Sequence, residues 1–114
     1  MKKVIELKSQ VEDKEGCLVS CLQVLGNKWT ALILNELILG PRRFTELEKV
    51  LEGISPRTLS QRLDDLEEHN IITRRTFAEA PPRVEYTLTE KGHDFLPILE
   101  QMAVWGTKYH SASC

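Results

Sequence analysis

The chain has 114 residues, with 15 lysines and arginines against 17 aspartates and glutamates, for a formal net charge of -2. That length suits one domain around one core, and a composition that is 41% hydrophobic and 28% charged is globular rather than disordered. No apolar run reaches the roughly 18–20 residues of a membrane span, no signal-like apolar segment opens the chain, and three cysteines suit no secreted disulfide framework; a cytoplasmic protein is the expectation. A pI near 5.9 argues mildly against a nucleic-acid binder, so what matters is whether the basic residues cluster, and they do.

Residues 1–16 mix both charges around a few apolar side chains and read as an N-terminal arm; residues 17–114 read as one domain. From Cys17 the period is helical, with Leu18, Leu22 and Leu25 at i, i+4 and i+7 and with Cys17, Cys21 and Val24 beside them. Gly26 suits the stop of this helix and Asn27 the N-cap of the next. The second helix, about 28–39, carries Trp29, Ile33 and Leu37 on one stripe and Ala31, Leu34 and Ile38 on another. Leu32 and Leu39 fill much of the remainder, so the helix is expected to be buried on most sides. Gly40-Pro41 ends it. Thr45-Glu46-Leu47-Glu48 has the spacing of a capping box and predicts a short helix carrying Leu47, Val50 and Leu51.

Gly53 allows a tight turn. Ser55 then suits an N-cap and Pro56 the first helical position, opening a fourth helix to about His69 with Leu59, Leu63 and Leu66 inward. Asn70 can take the left-handed conformation that ends a helix. After it the period falls to two. Residues 71–77 and 84–88 predict two strands joined by a proline-bearing loop. Thr89 should cap a last helix to about Tyr109, which Pro97 should kink or divide.

Two helices joined by a short glycine-containing turn form a helix-turn-helix pattern, and a hairpin directly after the second is a wing. The predicted fold is therefore mainly α with a small β-hairpin wing, a winged helix-turn-helix. In the fourth helix, at about 100° per residue from Leu59, Leu63 and Leu66 return to the core side. Arg57 and Gln61 point away from it, with Ser60 beside them. Arg pairs with guanine and Gln with adenine in bidentate fashion. Ser55, Thr58 and the first-turn amides suit a phosphate. Asp64, Asp65, Glu67 and Glu68 crowd the second half, so that half must stay clear of nucleic acid. Further candidate contacts are Arg43 before the third helix, Arg62 on the flank, Arg75 on the first wing strand and Arg83 after the wing loop. Arg62 is equally suited to a phosphate contact or an internal salt bridge. Strand alternation sends Arg74 and Arg75 to opposite faces, so at most one of them meets DNA.

The runs Gly26-Asn27-Lys28-Trp29, Gly40 to Leu47, Ile54 to Leu63, Pro82 to Gly92 and Trp105-Gly106 together resemble the HxlR family of bacterial transcriptional regulators. The resemblance spans about Cys17 to Gly106. It implies a winged-helix homodimer on an operator, and some members use a cysteine near the start of this match to sense electrophiles or oxidants. The family often has Cys-Pro there, whereas this chain has Cys17-Leu18.

Cys17, in the first turn of its helix, is the candidate redox sensor, since a helix N-terminus lowers a thiol pKa; a small buried hydrophobe is the competing role. Cys21 suits the core, and Cys114 a frayed tail. His69, His93 and His110 are scattered without a zinc-like spacing, so no metal and no cofactor are expected. No base is spaced to serve a catalytic thiol and no glycine-rich phosphate loop is present, so no enzyme is expected. Trp29, Ile98, Met102, Trp105 and Tyr109 are the candidate dimer interface. The expected function is a DNA-binding regulator acting as a homodimer on an inverted repeat in double-stranded DNA. The competing class is a winged-helix module that binds protein partners without catalysis.

Overall fold

The computed structural model describes residues 15–110. Most of the expected arm and Cys114 therefore lie outside the described residues. In chain order the elements are α1 (Glu15–Leu25), α2 (Lys28–Ile38), β1 (Arg42–Arg43), α3 (Phe44–Val50), α4 (Pro56–Glu68), β2 (Ile72–Phe77), β3 (Arg83–Leu88), α5 (Glu90–His93) and α6 (Leu96–Tyr109). No single described helix is long and apolar enough to cross a membrane.

The helix ends follow local chemistry. Asn27 caps α2, its Oδ1 accepting from the Trp29 amide at 2.8 Å. Ser55 caps α4, with Pro56 opening the helix. Asn70, at φ 61°, takes the left-handed conformation just past α4. Pro97 divides the last helix: α5 stops at His93, and α6 restarts with Pro97 in its first turn, where the missing N–H costs nothing.

Three expectations need correction. The capping box lies two residues upstream of Thr45–Glu48. Glu46 Oε1 accepts from the Arg43 amide at 2.8 Å, so α3 starts at Phe44 and Thr45 falls inside its first turn. Arg43 has no side-chain acceptor, so only the glutamate half of the box is made, and pairing with the sheet holds Arg43 extended at the cap. Leu32 and Leu39 of the predicted second helix are exposed rather than buried. The hairpin is also part of a three-stranded sheet of order β1-β3-β2, because Arg42 and Arg43 pair antiparallel with Tyr86 and Glu85.

The core is built from Ile33, Leu34 and Leu37 of α2, Leu47 of α3, and Leu59, Leu63 and Leu66 of α4. Ile71, Ile72, Tyr86 and Leu88 close it from the sheet side. A single threonine links α4, the sheet and α5. The Thr89 hydroxyl donates toward the carbonyls of Asn70 (2.7 Å) and Ile71 (3.0 Å) and accepts from the Gly92 amide at 3.0 Å. Lys91 Nζ adds a bond to the His69 carbonyl at 2.8 Å, at the carbonyl-rich end of α4. A Cβ on Gly92 would collide with the Ile71 carbonyl, so only glycine lets α5 lie this close to the start of β2.

Tyr86 lies on the core face of β3, paired across the ladder with Arg74. Burial pushes its phenol above the ordinary tyrosine value of 10.0, and the Arg74 guanidinium opposes the shift. A raised pKa means the neutral form is favoured by folding. Its contribution is therefore complete below the free value and is lost as pH rises from about 10 through the folded value. Urea midpoints measured at about pH 9 and about pH 11 should fall less in Tyr86→Phe than in wild type. An equal fall in both would show that Tyr86 ionises freely.

Candidate nucleic-acid interface

The fourth helix divides into two faces. Leu59, Leu63 and Leu66 are at most 2% exposed. Arg57, Ser60 and Gln61, on the opposite side of the same turns, are all exposed. The buried stripe fixes the helix on α2, and the exposed three project together from its N-terminal half.

Ser55 and Thr58 are joined at that end. Ser55 Oγ accepts from the Thr58 amide at 3.1 Å and donates to Thr58 Oγ1 at 2.9 Å. The cap uses one of the first-turn amides, and the helix dipole still favours an anion there. Ser55 and Arg43 are exposed and Thr58 is half-buried.

The remaining arginines differ in how they are engaged. Arg62 pairs with Asp65 one turn on (3.2 Å) and keeps only 22% of its side chain exposed. It lines a small cleft with Gln23, Asn27, Thr30 and His69, between α4 and the first two helices. Of its two roles the structure shows the internal salt bridge. On the wing, Arg74 lies on the core face and approaches Glu67 of α4 (3.8 Å) and Tyr86. Arg75 lies on the outer face, with its guanidinium 4.8 Å from the Phe77 ring centroid. Arg83 is held within the wing. It pairs with Glu79 (3.4 Å) and Glu85 (3.5 Å), and its guanidinium lies 4.0 Å from the Phe77 centroid. The expectation that Arg83 spends its charge on DNA did not anticipate these partners.

The C-terminal helix presents a separate surface. Ile98, Met102, Trp105 and Tyr109 are 42%, 50%, 67% and 64% exposed, and the rings of Trp105 and Tyr109 are 5.2 Å apart. No residue of α6 is fully buried. Trp29 is different, because it is half-buried against its own chain's core with Lys28 over its ring. Cys17 is exposed in the first turns of α1 and Cys21 is half-buried; both are free thiols. Among the described residues no group of three His, Cys, Asp or Glu side chains is placed to hold a metal.

A family model for the HxlR-like helix-turn-helix matches residues 24–114. The chain belongs to the HxlR family of helix-turn-helix transcriptional regulators. The regulator YdeP of Bacillus subtilis (strain 168) is 40% identical over 99 residues, which is 86% of this chain and 77% of that protein. YodB of the same organism, also named an HTH-type transcriptional regulator, is 37% identical over 90 residues, 79% of this chain and 80% of its own length. Among solved structures, the redox regulator HypR in its oxidised form superposes with a TM-score of 0.77 at 35% identity, covering 83% of this chain and 98% of that one. In this HxlR-family chain the winged helix-turn-helix fold is thus supported by elements, packing and relatives alike.

The two faces of α4 should separate in a stability assay. Arg57→Ala and Gln61→Ala should each shift the unfolding free energy by less than about 0.5 kcal/mol, whereas Leu63→Ala should cost about 2–5 kcal/mol. Denaturant titrations check this, and a large loss for either polar variant would show that the side chain is structural.

Proposed function

We propose that this protein regulates transcription as a homodimer that binds an inverted-repeat operator through α4 and the wing. The observation that carries the reading is the exposed trio Arg57, Ser60 and Gln61, at the N-terminal half of a helix whose other face is sealed in the core. That half of a recognition helix is the part that reaches base edges in the major groove. Arg57 and Gln61 are the base readers, with Ser60 between them. Ser55, Thr58 and Arg43 hold the phosphate backbone near the helix start, and Arg75 does so on the wing. The acidic second half of α4 stays outside the groove.

The exposed stripe of Ile98, Met102, Trp105 and Tyr109 is the seam of the dimer. Isolated apolar side chains on a surface need no explanation, but a contiguous stripe along one helix does. A two-fold axis there would set the recognition helices about 34–36 Å apart, one helical turn of DNA. Nothing in this arrangement requires a catalytic group, a cofactor or a membrane, and a cytoplasmic location follows from the DNA target.

Footprinting the DNA that flanks the gene should reveal a protected inverted repeat. Arg57→Ala and Gln61→Ala should each cost about 1–3 kcal/mol on that site and relax preference at one position per half-site. Uniform loss on operator and random duplex alike would overturn the assignment of base readers. Binding to no duplex at all would favour the protein-interaction module.

Cys17 is the proposed trigger, as the exposed thiol in the first turns of α1. The structural relative HypR, itself a redox regulator, supports a thiol-based signal. Modification at Cys17 acts only if the two resulting geometries differ in DNA affinity. Diamide or an alkylating quinone should change operator affinity of the wild type and leave Cys17→Ser unaffected. An equal response from both proteins would remove Cys17 as the sensor.

A further inference from the structure

The outer face of the wing carries an unusual charge arrangement. Across the three strands, Arg43 of β1, Glu85 of β3 and Arg75 of β2 stand in register, since Glu85 is the ladder partner of both arginines. Directly opposed residues point to the same face of a sheet, so Glu85 lies between two arginines. Arg83, two residues before it on β3, shares that face and pairs with Glu85 at 3.5 Å. Its other partner, Glu79, comes from the loop at the wing's end, at 3.4 Å. The guanidinium carbon lies over the ring of Phe77, its own ladder partner, 4.0 Å from the centroid. Arg83 is therefore ion-paired to two carboxylates and placed over an aromatic ring, and only 24% of its side chain is exposed.

Such an arginine offers little net charge to a phosphate. The two carboxylates pair with it at 3.4 and 3.5 Å, outside the range of short charge-assisted hydrogen bonds, so they act on its charge, and its Nε is buried without a hydrogen-bond partner. Meanwhile Arg75 packs against the same ring and reaches solvent. We propose that Glu79 and Glu85 are specificity-determining residues: they neutralise Arg83 within the wing and so limit the sequence-independent attraction of the wing for DNA. Phosphate contacts supply nearly all of non-specific binding, while base contacts supply discrimination. An internally neutralised wing arginine lowers the first without touching the second. The inference rests on the DNA-binding reading above, and it deepens that reading by assigning a role to two acidic side chains.

The test measures binding of full-length protein to the operator and to a random duplex of equal length, as a function of salt. In Glu79→Gln/Glu85→Gln the slope of log affinity against log salt should steepen by about one. Affinity for random duplex should rise by more than affinity for the operator, so their ratio falls. Adding Arg83→Gln to that variant should restore the wild-type slope, whereas Arg83→Gln alone should leave the slope unchanged. If the steeper slope persists without Arg83, the two carboxylates act only through net charge and the proposal fails. If the slope is unchanged, or if Arg83→Gln alone flattens it, the proposal also fails, while the DNA-binding reading stands. If wild type binds neither duplex, both fall. Circular dichroism checks folding. Should the double variant unfold, Glu79→Gln alone, at an exposed loop position, must show the same direction of change in slope or the proposal is overturned.

Discussion

Everything presented to solvent by α4 depends on one packing constraint, the burial of Leu59, Leu63 and Leu66 against α2 and the sheet. Three leucines at helical spacing fix the rotation of the helix about its axis as well as its position. Rotation by one residue, about 100°, would drag Arg57 and Gln61 toward the core and expose a leucine. Burying each side chain contributes about 1.5–3 kcal/mol, so the apolar stripe strongly disfavours any other presentation of the polar face. The candidate base-reading residues are held in place from behind.

The helix ends and the buried stripes were legible because the signals are local. Asn27, Ser55-Pro56 and Asn70 act through hydrogen bonds and backbone angles within a few residues. The division at Pro97 follows from proline's missing N–H alone. What escaped sequence reasoning required partners distant in the chain. β1 has only two residues, too few to show a period, and exists because Tyr86 and Glu85 pair with it. That pairing holds Arg43 extended at the cap, where its amide donates to Glu46. Periodicity likewise overstated how much of α2 is covered, since Leu32 and Leu39 find no neighbour to bury them in the single chain.

The arginines show the same division. Position in the sequence placed all of them near the candidate interface. Only the three-dimensional arrangement sorts them by what already binds them: Asp65 for Arg62, Glu67 for Arg74, and Glu79 and Glu85 for Arg83. One sequence signal was available for Arg83, because Glu79 and Glu85 bracket it closely on both sides. Four carboxylates, Asp65, Glu67, Glu79 and Glu85, are matched against arginine in this way, whereas Arg57 on the exposed face of α4 has no such ion pair among the described residues.

Thr89 binds the carbonyls that follow α4, closes the first turn of α5, and lies at the end of the wing's second strand. Lys91 adds its own tie to the end of α4. Recognition helix and wing thus share one hinge pin with the segment that leads into α6. Displacement of α5 would therefore be felt by the end of α4 and the start of the wing alike, through the same few hydrogen bonds. Loss of the one Thr89 hydroxyl would loosen two joints at once, the exit from α4 and the entry to α5.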